Sequence, residues 1–66
     1  MIRTLIGIVK TYLTDYPMEV VEVNNGYVQY FPEDHVWRLY KKDGSFDREL
    51  SEATSSLSEI ASIIGL

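Results

Sequence analysis

The residue types able to do chemistry come together once, at Glu33-Asp34-His35, where two carboxylates adjoin the chain's single histidine. Carboxylate and imidazole side by side could hold a metal ion or pass a proton. Three successive residues at a turn and strand start point in different directions, so they do not converge on one atom. The spacing predicts a solvated turn with a histidine at the strand edge. The second candidate is the serine-rich stretch Ser51, Ser55, Ser56, Ser58 and Ser62, with Thr54 among them. A serine nucleophile needs an activating base and an oxyanion site, and neither a G-x-S-x-G turn nor a second histidine is present. Ser51, Ser55, Ser58 and Ser62 recur at steps of three and four, which reads as the polar face of a helix.

Other chemistry is excluded more simply. The four glycines form no G-x-G-x-x-G or G-x-x-x-x-G-K phosphate cradle. With no cysteine and one histidine, thiolate and imidazole-rich metal sites are ruled out. The expectation is a protein that is not an enzyme and takes no cofactor or metal.

Those residues must be carried by a small fold. Sixty-six residues allow a single domain, 1–66, whose core is marginal because so short a chain buries only about 60% of its surface. Aromatic content, with five tyrosines, two phenylalanines and Trp37, is that of a packed chain and not a disordered one. Ten acidic residues against six basic ones give a net charge of −4, the wrong sign for gripping phosphates. The apolar run Met1 to Val9 is broken by Lys10, shows no cleavage pattern and is far shorter than the roughly 20 residues of a membrane span. A soluble, cytoplasmic protein is expected, since absent cysteine fits a reducing compartment.

The first element is a helix. Ile2, Leu5, Ile6, Val9, Tyr12, Leu13 and Tyr16 follow a three-and-four spacing with Ile8 at the edge, and Pro17 stops the helix near Asp15. Met18 to Val23 and Tyr27 to Phe31 have strand character, with Asn25-Gly26 between them as a two-residue type I′ turn. That turn sets Val23 opposite Val28, Glu22 opposite Gln29, Val21 opposite Tyr30 and Val20 opposite Phe31. Val21, Val23, Val28 and Tyr30 then face the core, and Val20, Glu22, Tyr27, Gln29 and Phe31 face outward.

After the turn Pro32-Glu33-Asp34, a third strand runs from His35 to Lys41. Asp43-Gly44 is a second type I′ candidate, pairing Lys41 with Phe46, Tyr40 with Asp47 and Arg38 with Glu49. Trp37, Leu39 and Phe46 would share the core face. Residues 46–49 form either a fourth strand or a short return. In the last segment Leu50, Ala53, Leu57, Ile60, Ala61 and Ile64 predict a helix starting near Ser51, while the capping box Ser56/Glu59 marks a start at Ser56; the longer helix is the expectation, ended by Gly65. The fold class is α+β: a helix, a three- or four-stranded antiparallel meander and a helix, both helices on one sheet face.

Two features carry a functional expectation. The outer face would expose Tyr27, Phe31 and Tyr40, rimmed by Gln29 and Arg38, a composition common at protein interfaces. Asp43, Asp47, Glu49 and Glu52, with Glu59, would form an acidic region able to steer a basic partner. The expected function is a small acidic protein-binding module, an inhibitor or modulator acting by surface occupancy as phage and mobile-element proteins do. The alternatives are a self-assembling homodimer, through Ile8, Ile63 and Leu66, and an acidic mimic of nucleic acid. Binding of single-stranded RNA on the sheet aromatics ranks below these because of the charge.

Overall fold

A computed structural model describes residues 5–66. Helix α1 (Leu5–Asp15) is followed by β1 (Val21–Val23), β2 (Gly26–Phe31), β3 (Val36–Tyr40), β4 (Phe46–Ser51) and helix α2 (Leu57–Ile64). The strands form one open antiparallel sheet in chain order. Both helices rest on β2 and touch each other, giving two layers. Residues 46–51 are thus a true fourth strand.

The core is one cluster: Ile6 and Leu13 of α1, Val28 and Tyr30 of β2, Trp37 and Leu39 of β3, and Ile60 and Ile64 of α2. The predicted inward residues of β2 and β3 are the ones that are buried. The α1 stripe is narrower than its sequence spacing implied. Leu5, Tyr12 and Tyr16 are 60%, 37% and 56% exposed. At 3.6 residues per turn they point roughly 100° away from the Ile6–Leu13 direction, and the sheet needs only the latter. Ile2, expected in the same stripe, lies outside the described residues.

The first hairpin turns one step earlier than expected. Val23 pairs with Gly26, Glu22 with Tyr27 and Val21 with Val28, so the bend is Asn24-Asn25, and neither asparagine takes a positive φ. Both asparagines serve the end of α2 instead. The Asn25 side-chain amide donates to the Ile63 carbonyl at 2.7 Å, that of Asn24 to the Gly65 carbonyl, and the Asn25 backbone N–H to the Ile64 carbonyl at 3.3 Å. Carbonyls that α2 leaves without helical partners are thereby satisfied. Gly26 is fixed by space as well as by its φ of 141°, since a Cβ there would lie 2.1 Å from the Tyr40 carbonyl oxygen. The register moves by two residues, which preserves the alternation and leaves every side chain on its expected face.

The second hairpin closes with a three-residue loop, Lys42 to Gly44, in place of the two-residue turn. Lys41 donates to the Ser45 carbonyl at 2.8 Å and Gly44 to the Lys41 carbonyl at 2.9 Å, with the positive φ on Gly44. A bulge between Leu39 and Tyr40 then absorbs the extra residue, so Tyr40 pairs with Phe46 while Leu39 pairs with Arg48 and Arg38 with Glu49. The Arg38–Glu49 pair is as expected. Phe46 is not, because the bulge turns it out of the core to the outer face, 52% exposed.

His35 belongs to the β2–β3 turn, at φ 53°, and β3 starts after it. The expected long C-terminal helix is also corrected. Leu50 and Ser51 are the last residues of β4 and residues 52–55 turn, so α2 starts at the capping box, where the Ser56 hydroxyl accepts from the Glu59 N–H and the Glu59 carboxylate accepts from the Ser56 N–H. The periodicity through Leu50 and Ala53 was strand and turn that happened to continue the helical count. Of the expected serine face only Ser58 and Ser62 lie on the helix. Gly65 ends it at φ 84°, its N–H and that of Leu66 returning to Ser62 and Ala61.

Candidate functional site

The face of the sheet away from the helices gathers side chains from all four strands. Tyr27 pairs with Tyr40, Gln29 with Arg38 and Phe31 with Val36, and directly opposed residues share one face. The Tyr40 hydroxyl donates to Gln29 Oε1 at 3.0 Å. The Phe46 ring meets Tyr40 edge-on at 6.1 Å. The Arg38 guanidinium lies 5.7 Å from the Phe31 ring centre and 5.6 Å from that of Phe46, and donates to Glu49 at 3.2 Å. Tyr27, Phe31 and Tyr40 are therefore brought together, half-buried by one another. Gln29 and Arg38 lie between them and not only at the rim.

Two open hollows flank this ridge. One, of about 320 Å³, is lined by Val20, Tyr27, Tyr40 and Gly44 and is almost wholly apolar. The other, of about 460 Å³, is lined by Phe31, Asp34, Val36, Arg38 and Glu49. On β3 their linings are adjacent on the same face, Tyr40 in the first and Arg38 in the second. Sequence reasoning missed Phe46 here, and no signal short of the loop length and its bulge could have placed it.

The acidic residues do not form one patch. Asp43 is held in the second turn by the Ser45 hydroxyl and the Ser45 N–H, and these bonds keep its carboxyl below the usual range. Asp47 sits at the bulge, 3.7 Å from Arg48, and Glu49 is paired with Arg38. Glu52 leaves the steering set altogether. Its side chain is 14% exposed and turned inward, accepting from the Tyr30 hydroxyl at 3.0 Å and from Trp37 Nε1 at 3.0 Å. Lys10 of α1 reaches it at 3.3 Å, and His35 Nδ1 lies 3.7 Å away. Burial alone would raise the Glu52 carboxyl, but the bonds from Trp37, Tyr30 and Lys10 outweigh it and hold the group below its ordinary value. Tyr30 is pushed up to about 12, first by burial and then by the bond to Glu52.

Glu52 is thus a joint between α1, β2, β3 and the turn before α2. Its role was invisible in a sequence that places it between a serine and an alanine. The Glu33-Asp34-His35 cluster stays at the surface. Among the described residues no group of three or more histidine or acidic side chains is placed to hold a metal ion, and no helix is long and apolar enough to cross a membrane.

The fold and this face define a two-layer α+β domain with an aromatic sheet surface that no described element covers. No known family model, curated protein or solved structure matches the chain.

Proposed function

We propose that the chain is a protein-binding module that holds a larger partner protein on the outer face of its sheet and acts by occupying that partner's surface. The observation that carries this is the cluster of Tyr27, Phe31, Tyr40 and Phe46 around Arg38, which no described element of the chain covers. Tyrosine and arginine are enriched among the few residues that carry most of the binding energy at protein interfaces, and phenylalanine is enriched in their cores. The apolar hollow beside Tyr27 and Tyr40 suits one aliphatic or aromatic side chain of the partner. Glu49, Asp47 and Asp43 border the cluster and would act on the rate of approach more than on affinity. A nucleic-acid mimic is less well supported, since Glu52 points inward and Glu49 is neutralised by Arg38.

The test is affinity purification from the native host with the wild-type chain and a Tyr27→Ala/Tyr40→Ala double variant, quantified by mass spectrometry. The partner enriched by the wild type should fall at least tenfold with the variant, at unchanged circular dichroism. Equal recovery would remove the sheet face from consideration.

A further inference from the structure

Asparagine is a chemically labile residue, and of the two asparagines in the chain only Asn25 is followed by glycine. The backbone nitrogen of the following residue can attack the carboxamide carbon, Cγ. That nitrogen gives up its proton, the amide nitrogen leaves as ammonia, and a cyclic imide closes. Water then opens the ring at either carbonyl, giving aspartate or isoaspartate. A glycine in second place has no side chain to obstruct the ring.

The fold restrains each atom in that reaction. The Asn25 carboxamide nitrogen, the leaving group, donates to the Ile63 carbonyl at 2.7 Å, and the Asn25 N–H reaches the Ile64 carbonyl at 3.3 Å. Gly65 covers the carbon to be attacked, since a Cβ on it would stand 3.3 Å from Asn25 Cγ. Gly26, which supplies the nucleophile, is buried and paired with Val23, and the Tyr40 carbonyl oxygen lies against its α-carbon. The first three restraints all come from the last residues of α2 and its cap. Chain ends and helix ends are the parts of a fold that open most readily.

We infer that Asn25 is a deamidation site gated by α2: the ring closes when the end of the helix lifts, and the product keeps the helix from docking again. Aspartate has no N–H to offer. It puts a carboxylate oxygen where the amide nitrogen stood, 2.7 Å from the Ile63 carbonyl oxygen. The Ile64 and Gly65 carbonyls converge on the same pair of asparagines, at the negative end of the helix dipole. Isoaspartate lengthens the backbone by one carbon in a bend whose length sets the Val23–Gly26 pairing. Either product loosens the seat of Ile60 and Ile64, which are buried against the sheet. Local opening is thereby recorded as a covalent change, whatever the sheet face binds.

The test follows the gain of one mass unit at Asn25 by peptide mass spectrometry, at mildly alkaline pH, with the chain in buffer and in strong urea. The folded chain should react at least tenfold more slowly. Gly65→Ala, whose Cβ would press on Asn24 and Asn25, should narrow that difference at least threefold. Urea just below the unfolding transition should do the same for the wild type, which keeps the test open if the variant folds poorly. Aged protein, separated by its added negative charge, should melt at a lower temperature and show faster hydrogen exchange in α2. Equal rates in buffer and urea, or no reaction in either, overturn the inference. So does ammonia loss first at Asn24 or Gln29, or an aged chain whose α2 is as protected as in fresh protein.

Discussion

The two faces of the central strands carry nearly the same kind of side chain and put it to different use. On the inner face Tyr30 and Trp37 are packed 4.7 Å apart beneath the helices, with 2% and 0% of their surface exposed. On the outer face Tyr27, Phe31, Tyr40 and Phe46 cover one another only in part. The difference lies in the polar atoms. A buried hydroxyl or indole N–H must find a partner or cost about 1–3 kcal/mol, so the inner pair requires Glu52, and Glu52 in turn requires Lys10. The outer hydroxyls can reach water, and Tyr40 adds only a local bond to Gln29. Aromatic content alone does not make a core; the obligation to satisfy its polar edges does.

The comparison breaks most sharply at Trp37. A domain of this length has roughly 3–10 kcal/mol of stability in all, at about 0.05–0.15 kcal/mol per residue, and deleting a buried tryptophan side chain costs about 3–5 kcal/mol. Trp37→Ala should leave the chain largely unfolded at room temperature, as read from far-ultraviolet circular dichroism in urea. A midpoint close to wild type would mean that the helices are not held by this ring.

Next in size is the joint itself. Glu52→Leu leaves the Tyr30 hydroxyl and Trp37 N–H without their acceptor, and roughly 2–4 kcal/mol should be lost. The same carboxylate imposes a pH dependence. Its folded pKa lies below the ordinary value of 4.5, so its contribution is complete above that pH and disappears as pH falls through the folded value. The urea midpoint of the wild type should decline below about pH 4.5 more steeply than that of Glu52→Gln. Parallel profiles would show that the carboxylate's charge is immaterial.

Tyr30 acts at the other end of the scale. Its pKa is raised from 10.0 to about 12, so the unfolded chain ionises first and stability falls between those two values, by a few kcal/mol at most. Tyr30→Phe should lose only about 1 kcal/mol at neutral pH yet be spared that alkaline decline. Trp37, buried beside it, gives a fluorescence readout.

How far the residues themselves disclosed these faces depends on the range of the interaction involved. Alternation along β2 and β3 showed which side chains turn inward, because that is a property of two adjacent residues and survives a register shift of two. The Ser56/Glu59 cap was equally local and was overruled in the expectation by a longer periodicity that belonged to strand and turn. What stayed hidden was long-range. Asn24 and Asn25 read as a turn motif because nothing in the hairpin reveals that α2 will end beside them. Glu52 read as surface charge because its partners come from residues 10, 30 and 37. Phe46 read as core because one extra loop residue and a bulge, together, reverse its side. The outer cluster was therefore legible in its tyrosines and Phe31, and incomplete by one ring.

That ring sharpens the comparison with the smallest effect. Phe46 is about half exposed, and it contributes an edge-on contact to Tyr40 and a face for Arg38. Full burial of such a side chain is worth roughly 1.5–3 kcal/mol, so half burial with one exposed cation–π contact of about 0.5–1 kcal/mol predicts that Phe46→Ser costs only about 1–2 kcal/mol. Its urea midpoint should fall far less than that of Trp37→Ala, while loss of the partner under the sheet-face reading should match that of the Tyr27/Tyr40 double variant. A loss as large as that at Trp37 would have a definite meaning. It would make the outer aromatics a second small core that holds β4 to the sheet, and their exposure the consequence of a thin domain, not of a surface kept for binding.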